Sequence, residues 1–241
     1  MSQTTRKHTT TLAGEEVTYE VSRSDDATQP RIDAGIDGIT VVLPASLDED
    51  PETVLMENAG WVLEKKTKFD QYRADIPDRT FKAGEQFPYL GEDHELIIEL
   101  RQKSEVVDQT IRLRQSAVDQ SSVERVLRNF YRREAREYLS ERLDQFAGGM
   151  ELDYDGVQIR NQRTRWGSCS TNGTISLNWR LLMAPPEVID YVVVHELAHL
   201  REPNHTDAFW SLVAEYIPEY EAHEDWLEEN STRLVFSADD L

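Results

Sequence analysis

The tightest constraint in this chain is an apolar stretch held between prolines, Pro185-Pro186 before it and Pro203 after it. Val188, Ile189, Val192, Val193, Leu197 and Leu200 recur there at three- and four-residue steps, the spacing that lines one helix face. Near its end stands His195-Glu196-Leu197-Ala198-His199. Residues four apart share a helix face, so both imidazoles can turn to one Zn²⁺. The residue after the first histidine lies about 100° round and can act as general base toward water beside that ion. The bland alternative is a pair of structural histidines on a half-buried helix.

A catalytic zinc takes three protein ligands and leaves a fourth position for water. His205 stands ten residues after His195, the spacing of an HExxHxxGxxH pattern. Glu202 occupies the glycine position of that pattern, and no methionine follows His205. Pro203-Asn204 must therefore reverse the chain, and Asn tolerates left-handed geometry. The competing third ligand is a downstream carboxylate, Glu215 or Glu219. His223, His94 and His8 read as surface histidines.

Composition bounds the rest. The 241 residues hold 46 Asp and Glu against 26 Lys and Arg, a formal net charge of −20, and only six of the cations are Lys. Self-repulsion at that charge weakens a compact state in dilute salt, and molar salt screens it. The composition fits a protein of a salt-loaded cytoplasm, as in halophilic archaea. Adhesion to nucleic acid or to an anionic membrane is disfavoured. No apolar run approaches the roughly 18 residues of a membrane span. The N-terminus reads as lacking a signal peptide, and the lone Cys169 excludes an internal disulfide. A cytoplasmic location follows as the expectation.

The first half reads as strands with one helix. Val17, Tyr19 and Val21 alternate, Asp37-Gly38 marks a turn before a Thr40–Leu43 strand, and Asp50-Pro51 opens a helix with Val54, Leu55, Ala59 and Val62 on one face. Phe69–Gly84 reads as a loop. Strands return at Gln86–Leu90, Glu95–Leu100 and Gln109–Arg114, with a first turn at Gly91-Glu92-Asp93. Ser121-Ser122-Val123-Glu124 is a capping box for a long helix that Gly148-Gly149 ends. Val157–Arg160 and Thr174–Asn178 read as two strands. Further helices are expected at Asp207–Ile217 and Glu221–Asn230. The predicted fold is α+β: a strand-rich region over 1–116, then a mainly helical zincin-like domain with a small sheet over 117–241, divided near Gln115–Asp119.

Between those two strands lies Arg163-Thr164-Arg165-Trp166-Gly167-Ser168-Cys169-Ser170. Its arginines can clamp a carboxylate or phosphate bidentately, or pair with acids of this acidic body. Cys169 has no histidine paired with it in sequence and reads as a packed thiol. Thr174–Asn178 is an edge strand that could take an extended peptide, or an ordinary sheet strand. Arg125, Arg128, Arg132, Arg133 and Arg136 alternate with acids and read as a solvated helix face.

That loop, with Gly173, Leu177-Asn178-Trp179-Arg180-Leu181, Ala184-Pro185, His195–His199, Asn204-His205 and Phe209-Trp210, resembles the YgjP-like zinc metallopeptidases, relatives of the SprT-like proteases. The resemblance is strong over Ala117–Leu227 and weaker in the first half, where Tyr89-Leu90-Gly91 and the strand-rich layout are similar. It implies one Zn²⁺ per chain on His195, His199 and His205, Glu196 as base, and a peptide or protein substrate. Arg163, Arg165, Trp166, Asn178 and Arg180 are candidate substrate contacts; Arg165, Tyr216 and Tyr220 are candidates for oxyanion stabilisation. Two other readings stay open. A metal-dependent phosphohydrolase acting on nucleotide pyrophosphate bonds could use Arg163, Arg165 and Arg180, and a non-catalytic metal-binding module would have no need of Glu196.

Overall fold

The computed structural model describes residues 7–25, 27–35, 38–162 and 165–237. It is α+β and divides into two compact units that part between Ile76 and Pro77, not near Gln115–Asp119.

In the first unit β1 (Lys7–Leu12) and β2 (Glu15–Ser24) form a hairpin through Ala13 and Gly14, both at positive φ, as a two-residue turn demands. β2 pairs in parallel with β4 (Gly38–Pro44), whose other edge takes β3 (Arg31–Gly35) antiparallel. The turn expected at Asp37-Gly38 lies partly outside the described residues. Asp50 caps α1 (Pro51–Glu57), accepting from the Glu52 N–H. The expected single helix breaks at Asn58, and α2 (Ala59–Ala74) carries on through the first residues of the expected loop. Val62 is its one buried residue, so its surface face gave no apolar period to read. Val17, Val41, Leu43 and Leu55 centre the core of this unit.

The second unit starts with the sheet β5 (Gln86–Tyr89), β6 (Glu92–Glu99), β8 (Thr110–Arg114) and β7 (Glu105–Val107), in that order. Phe87, Leu96, Ile111 and Leu113 bury against Leu127, Phe130 and Tyr131 of the long helix α4 (Val123–Met150). These strands therefore belong to the helical unit's core, which is why the compact units part before them. A short α3 (Gln115–Asp119) joins β8 to α4. Ser122 caps α4 by accepting the Arg125 N–H, one residue beyond the expected cap. The helix runs through Gly148 and Gly149 and stops at Glu151, which is left-handed (φ 52°). His94 is buried, not at the surface; its Nδ1 lies 3.0 Å from the Glu92 carbonyl oxygen.

The β5–β6 hairpin turns at Leu90-Gly91, one residue earlier than read. Its tip docks on the 3₁₀ turn Trp179–Met183, with the Leu90 N–H donating to Leu182 O at 2.8 Å. A Cβ on Gly91 would come within 2.9 Å of Pro185 Cα, at the head of α5 (Pro186–Ala198). Arg142 of α4 grips Asp190 of α5 bidentately at 2.6 and 2.5 Å. A three-stranded sheet completes the frame: β10 (Gly167–Cys169), β11 (Thr174–Asn178) and β9 (Gly156–Arg160). α6 (Asp207–Tyr216) and α7 (Tyr220–Asn230) close the unit. Among the described residues no helix is long and apolar enough to cross a membrane.

Candidate metal centre

α5 is apolar on nearly every side, with Val188, Ile189, Val192, Val193, Val194 and Leu197 all buried. Such a helix lies inside a fold. Its polar end surfaces only at His195 and His199. Pro186 fixes its start, and it ends at Ala198 with His199 as the cap residue. Leu200, Arg201 and Glu202 then turn back, their N–H groups donating to Leu197 and Ala198 carbonyls. That reversal brings His205 over the end of α5. Thr206 caps α6 by accepting the Phe209 N–H, fixing the chain one residue after His205.

The three imidazoles converge. One ring nitrogen from each of His195, His199 and His205 lies within 4.8 Å of the others, and the Nε2 atoms of His195 and His205 are 3.1 Å apart. Two nitrogens each 2.0–2.1 Å from a tetrahedral ion stand roughly 3.3 Å from one another. The donor set therefore fits a metal ion, and imidazoles suit zinc among the transition metals. Nδ1 of His199 is 3.2 Å from the Glu202 carbonyl oxygen, which directs its N–H there and frees Nε2. Phe209 packs beneath all three rings, at 4.6–4.9 Å between centroids. Trp210 stacks on the exposed His205 at 5.6 Å, and Tyr220 stacks on Trp210 at 5.0 Å.

Burial sets the electrostatics. His195 is pushed down to about 3, by burial first and then by its two histidine neighbours, so its ring is neutral and keeps a lone pair. Burial pushes the Glu196 carboxyl up to about 7, against the pull of the Arg165 guanidinium. Oε2 of Glu196 and Nδ1 of His195 are buried with no hydrogen-bond partner among the described residues. Glu196 stands outside the three-histidine cluster, and no other carboxylate among the described residues joins it, Glu215 and Glu219 included.

The other candidates scatter. Arg163 lies outside the described residues. Arg165 is exposed and acts on Glu196 through its charge. Trp166 is half-buried against the core. Asn178 and Arg180, read as substrate contacts, are buried instead. Asn178 Nδ2 donates to Gln162 O and Arg165 O, while Arg180 donates to Asn161 Oδ1 at 2.8 Å and Gln162 O at 2.5 Å. They hold the loop that carries Arg165. Tyr216 donates to Gly149 O, and Tyr220 is engaged with Trp210. His223 is half-buried beside Tyr191. Cys169 is half-buried, its thiol pushed up by burial and then by Glu196.

Thr174–Asn178 is not an edge. β11 lies between β10, antiparallel, and β9, parallel. The edges are β9 and β10, and β10 is the strand next to Glu196. An ideal Cβ on Gly167 would stand 2.4 Å from Glu196 Oε1. The sequence motif gives Gly167 no visible role, because its neighbour Glu196 comes from a helix far along the chain.

A family model described as "YgjP-like, metallopeptidase domain" matches residues 29–230. The chain belongs to the YgjP-like family. Three solved chains are similar to this YgjP-like protein. The metallopeptidase zymogen of Pyrococcus abyssi, abylysin, shares 26% identity over 38% of this chain and 93% of its own, with a TM-score of 0.36. That of Methanocaldococcus jannaschii, jannalysin, shares 19% over 39% and 94%, with a TM-score of 0.34. No curated protein matches. The family match makes the three-histidine cluster the candidate metal centre of a metallopeptidase domain.

Proposed function

We propose that the chain is a zinc-dependent metallopeptidase, with one Zn²⁺ on His195, His199 and His205 and Glu196 as general base. The observation that carries this reading is the convergence of three imidazoles, with a buried carboxylate beside them and outside the ligand set. Zn²⁺, when bound, supplies a Lewis acid for a peptide carbonyl and acidifies water. Glu196 accepts a proton at its carboxylate as water adds to that carbonyl, and returns it to the departing amine nitrogen. Burial raises this carboxyl above the ordinary glutamate range, which makes it a stronger base than an exposed glutamate.

The substrate is an extended peptide lying along β10. Asn178 N–H bonds to Trp166 O and Ser170 N–H to Thr174 O, so alternation turns Ser168 toward β11. The main-chain groups of Gly167 and Cys169 then face the free edge, beside Glu196, and can pair with a peptide by strand addition. The phosphoanhydride reading finds less support: Arg180 is spent on the Asn161–Gln162 carbonyl oxygens.

The test is hydrolysis of labelled casein and of nucleoside triphosphates by metal-loaded, chelated and zinc-restored protein. Casein cleavage that a chelator abolishes and zinc restores is the expected result. Cleavage of triphosphate alone, or chelator-resistant cleavage of casein, contradicts the proposal.

A further inference from the structure

We infer that Gly167 is a positioning residue for Glu196: the missing side chain of the edge strand is the space in which the general base sits. This inference rests on the reading of Glu196 as base.

Glycine at 167 is not there for its backbone. Gly14, Gly38, Gly84, Gly91 and Gly173 take positive φ, and Gly167 does not. Its contacts explain it. A Cβ built on Gly167 would lie 2.4 Å from Glu196 Oε1, 2.6 Å from Cγ and 2.7 Å from Cδ. Each is inside the closest approach of real side chains, and together they span the outer half of the glutamate. By contrast Gly156, at the other edge of the same sheet, meets nothing within 4 Å.

Of the groups in contact, the glutamate side chain is the one that can give. Glu196 is only 6% exposed, and its Oε2 makes no hydrogen bond among the described residues. Packing, not hydrogen bonding, fixes that oxygen, and the bare Cα of Gly167 is one wall of the packing. The other parts of the frame are stiff. Gly167 is held in register opposite Leu177 of β11, and the α5 backbone is locked by Pro186 and the Arg142–Asp190 pair. An added methyl therefore meets the end of a side chain, not a backbone. The side chain swings away, so the carboxylate leaves its place while the fold and the three histidines stay. This predicts loss of the base's function without loss of the metal.

The test is a pair of double-variant cycles on the zinc-loaded full chain, with labelled casein as substrate. Gly167→Ala is expected to lower kcat at least ~10-fold, part of the ~10²–10⁴ that a general base contributes, with zinc content and KM close to wild type. In a Glu196→Gln background, which already lacks the base, Gly167→Ala is expected to lower kcat no further. Gly156→Ala is the control for methyl insertion in this sheet and should keep wild-type kcat. Thermal melting closes the second cycle. Any loss of melting temperature from Gly167→Ala should vanish in a Glu196→Ala background, where the opposing side chain is gone.

Full kcat in Gly167→Ala, or equal fractional losses in the wild-type and Glu196→Gln backgrounds, overturns the inference and leaves the peptidase reading standing. If Gly167→Ala does not fold, the Gly167→Ala/Glu196→Ala double variant decides. Folding of the double variant supports the contact, and failure to fold overturns it. Full activity in Glu196→Gln alone sinks the base reading instead, and the melting cycle then still reports whether the two residues meet.

Discussion

Three of the six histidines end in one cluster, and they are held there by unequal means. His195 and His199 belong to the α5 frame, with rings 5.1 Å apart and nearly perpendicular. His205 is exposed and comes from the segment between helices, positioned by the Thr206 cap behind it and by the Phe209 and Trp210 rings against it. It is the ligand most easily lost. His205→Ala is expected to weaken zinc binding by more than ~100-fold, the upper end of what outer partners of ligands contribute. His223→Ala, beside Tyr191 and outside the cluster, should keep about one zinc per chain. Metal analysis after dialysis against a weak chelator reads both, and equal zinc in the two variants would remove His205 from the set. The histidine spacing was legible from sequence because helix periodicity makes it so. The burial of Asn178 and Arg180 was not, because polar residues spent on loop carbonyls look the same in sequence as polar residues aimed at a substrate.

Elements were legible where a turn or cap announced them. Asp50-Pro51, Ser122 and Pro186 all open helices as their chemistry requires. The parallel pairings β2 with β4, β6 with β8 and β9 with β11 had no local signal, since their partners meet only through tertiary packing. That is also why β11 read as an edge. The same blindness set the division too late. Phe87, Leu96, Ile111 and Leu113 read as an N-terminal sheet, yet they wall the core of α4. We propose that the unit carrying the metal centre is 77–237. A fragment starting at Pro77 is expected to fold and bind zinc, whereas one starting at Ala117 leaves the α4 apolar face bare and is expected to aggregate. Circular dichroism and zinc content of the two fragments decide this; a folded, zinc-binding Ala117 fragment would contradict it.

For the whole molecule, charge is the dominant unspecific force. A net of −20 on 241 residues repels itself at a Debye length of ~10 Å and far less at ~3 Å. Ion pairs such as Arg128–Glu124 and Lys66–Asp70 are local, and 26 Lys and Arg are too few to pair 46 Asp and Glu one to one. The melting temperature is expected to rise between 0.1 and 2 M KCl, by ~2–4 °C for each kcal/mol of repulsion removed. A temperature that stays flat over that range would count against the salt-adapted reading of the composition.

In the proposed chemistry the histidines hold the metal and Glu196 only moves a proton. The measurement that meets it most directly is zinc content and casein turnover of Glu196→Gln beside the wild type. Glutamine keeps the shape but cannot accept a proton at neutral pH. About one zinc per chain should remain, and turnover should fall by at least ~100-fold. Loss of the zinc would make Glu196 a ligand, and full turnover with zinc in place would leave the proposed chemistry without its base.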